Sequence, residues 1–388
     1  MSASFLPYGR QAIDDSDIQA VTDVLRGDWL TTGPAVDAFE TDFARASGAR
    51  HAISCSNGTA ALHLALAGLG VGEGDTCIVP AVTFMATANA ARYCGAEVAF
   101  ADVDPDTGLM TPGTLETALA RAEGTARVVL PVHLAGQCGP LDEIERCAAV
   151  AGAVLVEDAS HAAGSRYRDE PVGNCRHSVA ATFSFHPVKT IAAGEGGAVT
   201  TNDDALAARL RKLRSHGIER DPALHRRQAG EPWWHEMQML GWNYRLSDIH
   251  AALARSQLRR LPDFVARRQS LSKAYDAALQ DVSPHVRPLM RARACNPCLH
   301  LYPVRIDFEA LGRTRSEVMA ALKAQGIGTQ VHYIPVSDQP YYVDRYGRQD
   351  LPGARRYYER TLSLPLFVGM EQDDPLRVVR ALTGVLGL

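Results

Sequence analysis

The sequence predicts an α/β protein with a large domain built on a mostly parallel sheet and a small C-terminal α+β domain. Between about residues 50 and 205, short apolar strands alternate with helical segments, as in a parallel sheet covered by helices on both faces. After about residue 240 the pattern changes to long helices followed by a strand, a helix and a strand. We therefore expect the large domain at residues 1–250, and a connecting helix with the small domain at residues 251–388.

The N-terminal helix has clear start and stop signals. Asp14 is a residue type that caps helix N-termini, Ile13 and Ile18 are spaced as a hydrophobic staple, and Gly27 ends the helix. The apolar residues of this helix form one stripe, which contains Ile18, Val21, Val24 and Leu25.

The large domain is predicted to contain seven short apolar strands and four further helices. The strands are expected at residues 52–55, 76–80, 97–101, 126–132, 153–157, 180–185 and 197–201. The helices are expected at residues 59–68, 86–94, 141–151 and 203–215.

The C-terminal part begins with a long helix expected at residues 246–261. A strand at 300–308 follows, and a Thr314–Glu317 capping box then opens a helix that ends near Gly326. A second strand is expected at 327–333.

Composition excludes several function classes. The 388 residues are 46% hydrophobic and carry a net charge of −4, so nothing in the overall charge favours nucleic acid. No run of about 18 uncharged apolar residues is present and the first ten residues do not resemble a signal peptide, so we expect a cytoplasmic protein without a membrane partner. The eight cysteines fit reduced thiols. Cys295 and Cys298, followed by His300, lack a second ligand pair at zinc spacing, so no metal is predicted.

Lys189 and Asp158 are the first candidates for chemistry. Each follows an apolar, β-prone run, and Lys189 precedes the glycine-rich turn at residues 194–197. Burial lowers the pKa of a lysine amine and leaves it nucleophilic. A lysine for an aldehyde and a carboxylate for a ring nitrogen together suggest pyridoxal phosphate. The alternative for Lys189 alone is an ordinary loop lysine.

The turn at residues 57–59 is a candidate phosphate site. It joins a predicted strand to a helix that is apolar nearly all round, whose first backbone amides would face the ligand edge of the sheet. Asp158 and Ser184 also fall at strand ends, where open α/β sheets bind ligands. Without these neighbours, a plain Asn-Gly turn with a Thr cap would be the simpler interpretation.

Seven motifs occur in order along almost the whole chain. They are LTTG at 30–33 (with Phe39–Glu40 after it), SNGTAAL at 56–62, TFMATAN at 83–89, EDASH at 157–161, FSFHPVK at 183–189, GEGG at 194–197 and NYRLS at 243–247. Together they resemble the DegT/DnrJ/EryC1/StrS family of sugar aminotransferases. The resemblance implies the aspartate aminotransferase-like fold of type I pyridoxal-phosphate enzymes, in a homodimer with active sites shared between the subunits.

The resemblance implies roles for individual residues around the cofactor ring. Lys189 would form the Schiff base and carry the proton, and Asp158 would pair with the pyridine nitrogen. Phe84 would stack on the ring, although a core phenylalanine is the simpler alternative. His161 would lie near the phenolic oxygen, with a core histidine as its alternative.

The phosphate and the substrate have their own implied residues. Gly58, Thr59 and Ser184 would bind the cofactor phosphate, joined by Asn243 of the neighbouring subunit. Residues for the sugar and diphosphate are expected among Tyr8, His216, Tyr244, Arg245, His332 and Tyr333. Arginine suits a diphosphate because its planar fork binds phosphate oxygens bidentately. For the histidines and tyrosines, a strand-end side chain with a backbone partner is an open alternative.

The reaction implied by the resemblance is transamination in two halves. L-Glutamate gives its amine to the cofactor and leaves as 2-oxoglutarate, and pyridoxamine 5'-phosphate then aminates a keto sugar. Related dehydratases carry histidine in place of the lysine, so lysine at 189 indicates amine transfer.

Within the family, residues 185–191, 194–197, 215–218, 300–303 and 330–333 are most similar to the branch that aminates C4 of a UDP-linked 4-keto-6-deoxy-N-acetylhexosamine in pseudaminic acid synthesis. The alternatives are an enzyme for another keto sugar, of the perosamine, bacillosamine or dTDP-3-keto type, and a cofactor-binding regulator without turnover. The segment 221–236 is longer than this branch leads us to expect.

Overall fold

The computed structural model describes residues 5–227 and 231–388. The α-helices are α1 Asp15–Arg26, α2 Pro34–Ser47, α3 Gly58–Gly68, α4 Ala86–Tyr93, α5 Pro112–Arg121, α6 Leu141–Val150, α7 Asp204–Leu213, α8 Asp248–Arg259, α9 Leu261–Leu279, α10 Arg315–Ala324, α11 Pro340–Tyr346, α12 Pro352–Arg360 and α13 Asp374–Leu386. The strands are β1 His51–Cys55, β2 Asp75–Pro80, β3 Glu97–Ala101, β4 Thr125–Val129, β5 Val154–Asp158, β6 Arg166–Tyr167, β7 Glu170–Pro171, β8 Ala180–Ser184, β9 Gly197–Thr201, β10 Ile218–Glu219, β11 Glu236–Met237, β12 Val286–Pro288, β13 Cys295–Asn296, β14 Tyr302–Ile306 and β15 Thr361–Leu364.

The large sheet has seven strands in the order β1-β9-β8-β5-β4-β2-β3. Only β9 runs antiparallel to its neighbours, β1 and β8, and the other pairs are parallel. The six remaining strands therefore end at one edge of the sheet. The predicted α/β class with a mostly parallel sheet is confirmed, and the seven predicted strands are present with bounds that shift by up to three residues.

Helix α3 is buried because its sequence is apolar on nearly every side. All of its residues except Thr59 and Ala67 are inaccessible to solvent, and it packs against β8, β9, α4 and α7. The Asn57 side chain caps the helix by accepting a hydrogen bond from the Ala60 amide at 2.8 Å. A buried helix capped in this way directs its N-terminus toward the carboxyl ends of the strands.

Helix α1 begins at the predicted cap. Asp14 and Asp17 form a capping box, but the residue that α1 buries is Asp17, not the apolar stripe. Asp17 accepts a hydrogen bond from Gln257 at 2.6 Å and is paired with Arg260, which ties α1 to α8. Ile18 and Leu25 are exposed and Val21 and Val24 are half-buried, so none of the stripe is fully buried in the isolated chain.

A second sheet forms the centre of the C-terminal part. Strands β12, β14 and β15 are antiparallel, and their apolar side chains share one buried cluster with residues of α9, α10 and α13. The predicted strand at 300–308 is confirmed as β14, and α10 begins at the predicted Thr314 capping box.

The predicted strand at 327–333 is wrong. Ile327 makes a single parallel bridge to Leu6, and Gln330 makes a single antiparallel bridge to Ser363. The segment changes partner within three residues, so no continuous ladder forms. The third strand of this sheet is instead β15, which the sequence did not reveal, and the same is true of helices α5 and α13.

In the part of the chain that the structure describes, no helix combines the length and apolar character needed to cross a membrane.

Candidate active site

A cavity of about 970 Å³ opens at the carboxyl edge of the large sheet. Asp158 ends β5, Ser184 ends β8, and Asn57 follows β1 by two residues, and all three line the cavity. The expectation that these strand ends meet at one edge is confirmed. Lys189 also lines the cavity, five residues after the end of β8.

The Lys189 amine is the most unusual group in the cavity. The side chain is half-buried, and burial lowers its pKa from 10.5 to about 8, although the nearby Asp158 carboxylate opposes this shift. Among the residues that the structure describes, the amine has no hydrogen-bond acceptor. A neutral amine is therefore accessible near pH 8, and it is the form that attacks a carbonyl carbon.

Asp158 is held in a fixed orientation beside the amine. One carboxylate oxygen accepts a hydrogen bond from the Thr87 hydroxyl at 2.7 Å, and the other accepts from the Ser160 amide at 3.1 Å. The side chain is 4% exposed, so a buried carboxylate with two donors faces a cavity that also contains a lysine. Such a carboxylate can hold a protonated ring nitrogen.

The start of α3 and the end of β8 form a close cradle for an anion. The Asn57 side chain takes the Ala60 amide, so the amides of Gly58 and Thr59 remain for a ligand. A Cβ atom added to Gly58 would lie 2.8 Å from the Cβ of Ser184, which explains why glycine stands at this position. Three predicted phosphate residues, Gly58, Thr59 and Ser184, thus meet in this structure.

His161 and Tyr333 also line the cavity, and they form a hydrogen-bonded pair. The Tyr333 hydroxyl lies 3.1 Å from Nε2 of His161, and the Ala135 amide donates to Nδ1 at 3.4 Å. Because Nδ1 accepts, Nε2 carries the proton and donates to the tyrosine oxygen. Burial lowers the pKa of His161 well below its ordinary value, so this histidine is neutral.

Two further histidines in the cavity are also neutral. Burial lowers the pKa of His332 to about 3, and the Nδ1 atom of His332 lies 2.8 Å from the Ser363 hydroxyl. Burial likewise lowers the pKa of His300, whose ring centroid lies 4.5 Å from that of His161. Lys189 is consequently the cation among these basic groups, and its own charge contributes to the lowered pKa of all three histidines.

Phe84 and Tyr8 present aromatic surface to the same cavity. Phe84 is 52% exposed and its ring lies 6.0 Å from that of Tyr333, which excludes the alternative of a core phenylalanine. Tyr8 is half-buried, and its ring centroid lies 5.6 Å from that of His332. An exposed ring beside a buried carboxylate suits a planar, charged ligand.

Of the residues predicted in segment 216–245, only Tyr244 reaches the cavity of its own chain. Its hydroxyl lies 3.2 Å from Nδ1 of His63. Asn243 and His216 are exposed and Arg245 is half-buried, and none of the three lines this cavity. The role of Asn243 in a neighbouring subunit stays a prediction, and His216 and Arg245 are not brought to the site by this chain alone.

Thr87 and His300 also belong to the site, although neither was predicted as a site residue. Thr87 lies inside the TFMATAN motif, and its helical spacing from Thr83 could have signalled that both hydroxyls face one side. The two hydroxyl oxygens are 2.8 Å apart. His300 is the first residue of the strand predicted at 300–308 and was assigned no binding role, because a single histidine at a strand end carries no pairing signal.

Comparison with known proteins agrees with this geometry. The family model of the DegT/DnrJ/EryC1/StrS aminotransferase family matches residues 11–383. The chain belongs to this family. Family membership and the fold together make it a sugar aminotransferase of the α/β class.

Similar proteins cover the chain almost completely. The spore coat polysaccharide biosynthesis protein SpsC of Bacillus subtilis is 38% identical over 385 residues, which are 98% of this chain and 97% of SpsC. Helicobacter pylori PseC, an aminotransferase involved in the biosynthesis of pseudaminic acid, superimposes with a TM-score of 0.89 at 27% identity, covering 99% of this chain and 100% of PseC.

A third similar structure bears on the identity of the cofactor. Spr1654 of Streptococcus pneumoniae, solved in a PLP form, has a TM-score of 0.89 at 26% identity, with 99% of each chain covered. The same protein has been solved in a PMP form. The residues of this cavity fit pyridoxal phosphate, because they supply an amine for its aldehyde, a carboxylate for its ring nitrogen and backbone donors for its phosphate.

Proposed function

We propose that this protein is a pyridoxal-phosphate-dependent nucleotide-sugar aminotransferase that moves an amine from L-glutamate to C4 of a UDP-linked 4-keto-6-deoxy-N-acetylhexosamine, as in pseudaminic acid synthesis. The observation that carries the proposal is the Lys189 amine, whose pKa of about 8 leaves it nucleophilic beside the buried Asp158. The similarity to PseC over the full chain supports the pseudaminic-type substrate.

Lys189 and Asp158 would act on different parts of the cofactor. When bound, pyridoxal phosphate supplies an electron sink for the carbon that gains or loses the amine. Lys189 would hold the aldehyde at rest and, once released, carry a proton to or from the reacting carbon. A pKa near 8 suits this exchange because the amine can both accept and return a proton near neutral pH. Asp158 would keep the ring nitrogen protonated.

The remaining cavity residues would bind and orient the cofactor. Gly58, Thr59 and Ser184 would donate hydrogen bonds to the phosphate, and Phe84 would cover one face of the ring. His161 would place a neutral N–H donor near the phenolic oxygen, since its Nδ1 atom is engaged by a backbone amide. These contacts fix the ring so that proton transfer by Lys189 occurs at one carbon.

The sugar would enter past the aromatic wall. Tyr8, Tyr333 and His332 line this side of the cavity, and Tyr244 lies near the start of α3. His332 is neutral, so it would bind the sugar as a hydrogen-bond partner and not as a cation.

We also propose a homodimer in which each subunit completes the site of the other. The exposed face at Asn243 and His216, together with Arg245, would provide polar and cationic groups to the neighbouring cofactor phosphate and sugar diphosphate. The test mixes Lys189→Ala with Asn243→Ala chains. We expect hybrid dimers to regain activity that neither parent has, because one of their two sites is intact. Absence of complementation in verified hybrid dimers would contradict shared sites.

The substrate is tested by a panel of nucleotide sugars. Holoenzyme is incubated with L-glutamate and each 4-keto or 3-keto sugar on UDP or dTDP, and NMR locates the new amine. We expect amination at C4 of the UDP-linked 4-keto-6-deoxy-N-acetylhexosamine. Amination of a dTDP-3-keto sugar alone would refute this substrate while leaving the aminotransferase activity intact.

A second candidate substrate is favoured by one observation. SpsC, named for spore coat polysaccharide, shares 38% of its residues with this chain, compared with 27% for PseC. A polysaccharide sugar of the perosamine or bacillosamine type is therefore the alternative. The same panel distinguishes the two once GDP-linked 4-keto sugars are added: a perosamine-type product lacks the N-acetyl group, and a bacillosamine-type product, which is also UDP-linked and N-acetylated, differs in the configuration of its ring carbons.

A further inference from the structure

Three cysteines lie in or beside the loop at residues 134–138. The loop at residues 134–138 follows β4, and Cys138 stands at its end with 1% exposure. Cys295 and Cys298 belong to a CNPC segment that runs along the same loop. Among the described residues no group of three or more histidine, cysteine or acidic side chains is arranged to hold a metal ion, so these thiols call for a different explanation.

Cys138 and Cys295 are in direct contact. The backbone amide of Cys138 donates a hydrogen bond to the sulfur of Cys295 at 3.2 Å. The neighbouring thiol and backbone amide of Cys138, with His133 nearby, lower the pKa of the Cys295 thiol, whereas burial raises the pKa of Cys138. Cys295 is half-buried, whereas Cys138 is fully buried, so Cys295 is the more exposed residue of the pair.

Cys298 is engaged elsewhere, although its CxxC spacing makes it the obvious partner for Cys295. Its thiol donates to the His161 carbonyl at 3.1 Å and lies 3.6 Å from the Thr190 hydroxyl. It has no solvent exposure, and burial raises its pKa. The sequence spacing and the three-dimensional contacts therefore indicate different thiol pairs.

The loop between these thiols also orients a residue of the cavity. The Ala135 amide donates to Nδ1 of His161, and the Gly136 carbonyl accepts from Cys295 at 3.8 Å and from the Ser165 hydroxyl at 2.7 Å. A Cβ atom on Gly136 would lie 2.8 Å from the Cys298 sulfur, so the loop has no room to move toward that residue. A new covalent bond at Cys138 would therefore displace the contact to His161.

We propose that Cys138 and Cys295 are an oxidisable thiol pair that forms a reversible disulfide with hydrogen peroxide and thereby slows the enzyme. The Cys295 thiolate attacks one peroxide oxygen, an S–O bond forms, the O–O bond breaks, and hydroxide leaves and is protonated to water. The Cys138 thiol then loses its proton and attacks the sulfur of the resulting sulfenic acid, which releases a second water. Two thiols are oxidised, one peroxide is reduced, and a dithiol reductant reverses the bond.

Peptide mapping tests the site directly. Full-length holoenzyme is treated with hydrogen peroxide, its remaining thiols are alkylated, and non-reducing digests are analysed by mass spectrometry. We expect a linked peptide that contains Cys138 and Cys295 and disappears after dithiothreitol. Cys295→Ser and Cys138→Ala each lack this peptide, and either variant suffices because the bond needs both thiols. Cys147→Ser is the matched control, since this thiol is half-buried and outside the cluster.

Activity provides the second measurement. We expect peroxide to slow transamination about fivefold, the factor for losing one neutral hydrogen bond of about 1 kcal/mol, and dithiothreitol to restore it. The Cys295→Ser enzyme keeps its rate in peroxide, and the Cys147→Ser enzyme behaves as the wild type. A disulfide that contains Cys298, or oxidation of Cys295 without any disulfide, overturns the proposed pair. A Cys138–Cys295 disulfide that leaves the rate unchanged overturns the link to His161. The mapping is decisive even for a protein without transaminase activity.

Discussion

Replacing Lys189 by Met should stabilise the cofactor-free protein, because burial of the charged Lys189 amine destabilises the folded state. The pKa is lowered from 10.5 to about 8, chiefly by burial. The difference corresponds to about 3 kcal/mol at roughly 1.4 kcal/mol per pH unit. The methionine side chain has a similar length and no charge, so we expect its free energy of unfolding to exceed that of the wild type by about this amount at pH 7.

The sign of the pH dependence follows from the direction of the shift. Below pH 8 the Lys189 amine is protonated in both the folded and the unfolded chain, so the wild type bears the whole penalty. Between pH 8 and pH 10.5 the folded protein releases the proton while the unfolded chain keeps it, and the wild type gains stability. The advantage of Lys189→Met should therefore be largest at pH 7 and nearly absent at pH 10.5.

Urea unfolding of both cofactor-free proteins at pH 7, 9 and 10 measures this difference. Lys273→Met is the matched control, since Lys273 is exposed on α9 and its replacement should change stability by less than about 0.5 kcal/mol. A Lys189→Met protein that is no more stable than the wild type at pH 7, or whose advantage does not change with pH, would refute the argument that burial lowers the pKa of this amine.

Other substitutions test the cradle and the carboxylate. Gly58→Ala places a methyl group 2.8 Å from the Cβ of Ser184, so we expect urea unfolding to show a loss of about 1–3 kcal/mol, and a smaller loss in a Ser184→Gly background. Gly113→Ala, with nothing within 4 Å, should cause no loss; equal losses in both backgrounds would contradict the close approach. Thr87→Val removes a donor to the buried carboxylate and should cost about 1.5–3 kcal/mol and weaken cofactor binding in absorbance titrations. The exposed Thr41→Val should stay within about 0.5 kcal/mol, and equal effects of the two would exclude the proposed support.

The sequence was most informative where polar residues follow strands. Asp158, Ser184 and the 57–59 turn are far apart along the chain, yet parallel strands bring their ends to one edge, and the structure places them around one cavity. The apolar character of α3 likewise indicated a buried helix. The reason is that the spacing of apolar residues determines which faces of an element are buried. The position of a residue relative to a strand end determines which edge of the sheet it occupies.

Other features depend on partners that no local pattern reveals. The segment 327–333 is apolar enough for a strand, but Leu6 and Ser363 each bond only part of it. The Cys295–Cys298 spacing suggests one thiol pair, while folding places Cys138 against Cys295. The residues proposed to bind the sugar would similarly be set by contacts between distant segments and, in the proposed homodimer, between subunits.

The most direct test of the central claim identifies the amine that binds the cofactor. The protein is loaded with pyridoxal phosphate, reduced with sodium borohydride, digested and mapped by mass spectrometry. We expect a phosphopyridoxyl group on Lys189, and no labelling of this site in Lys189→Met. Labelling of a different lysine, or failure of the wild type to retain the cofactor after reduction, would contradict the assignment of Lys189 and of the cavity around it.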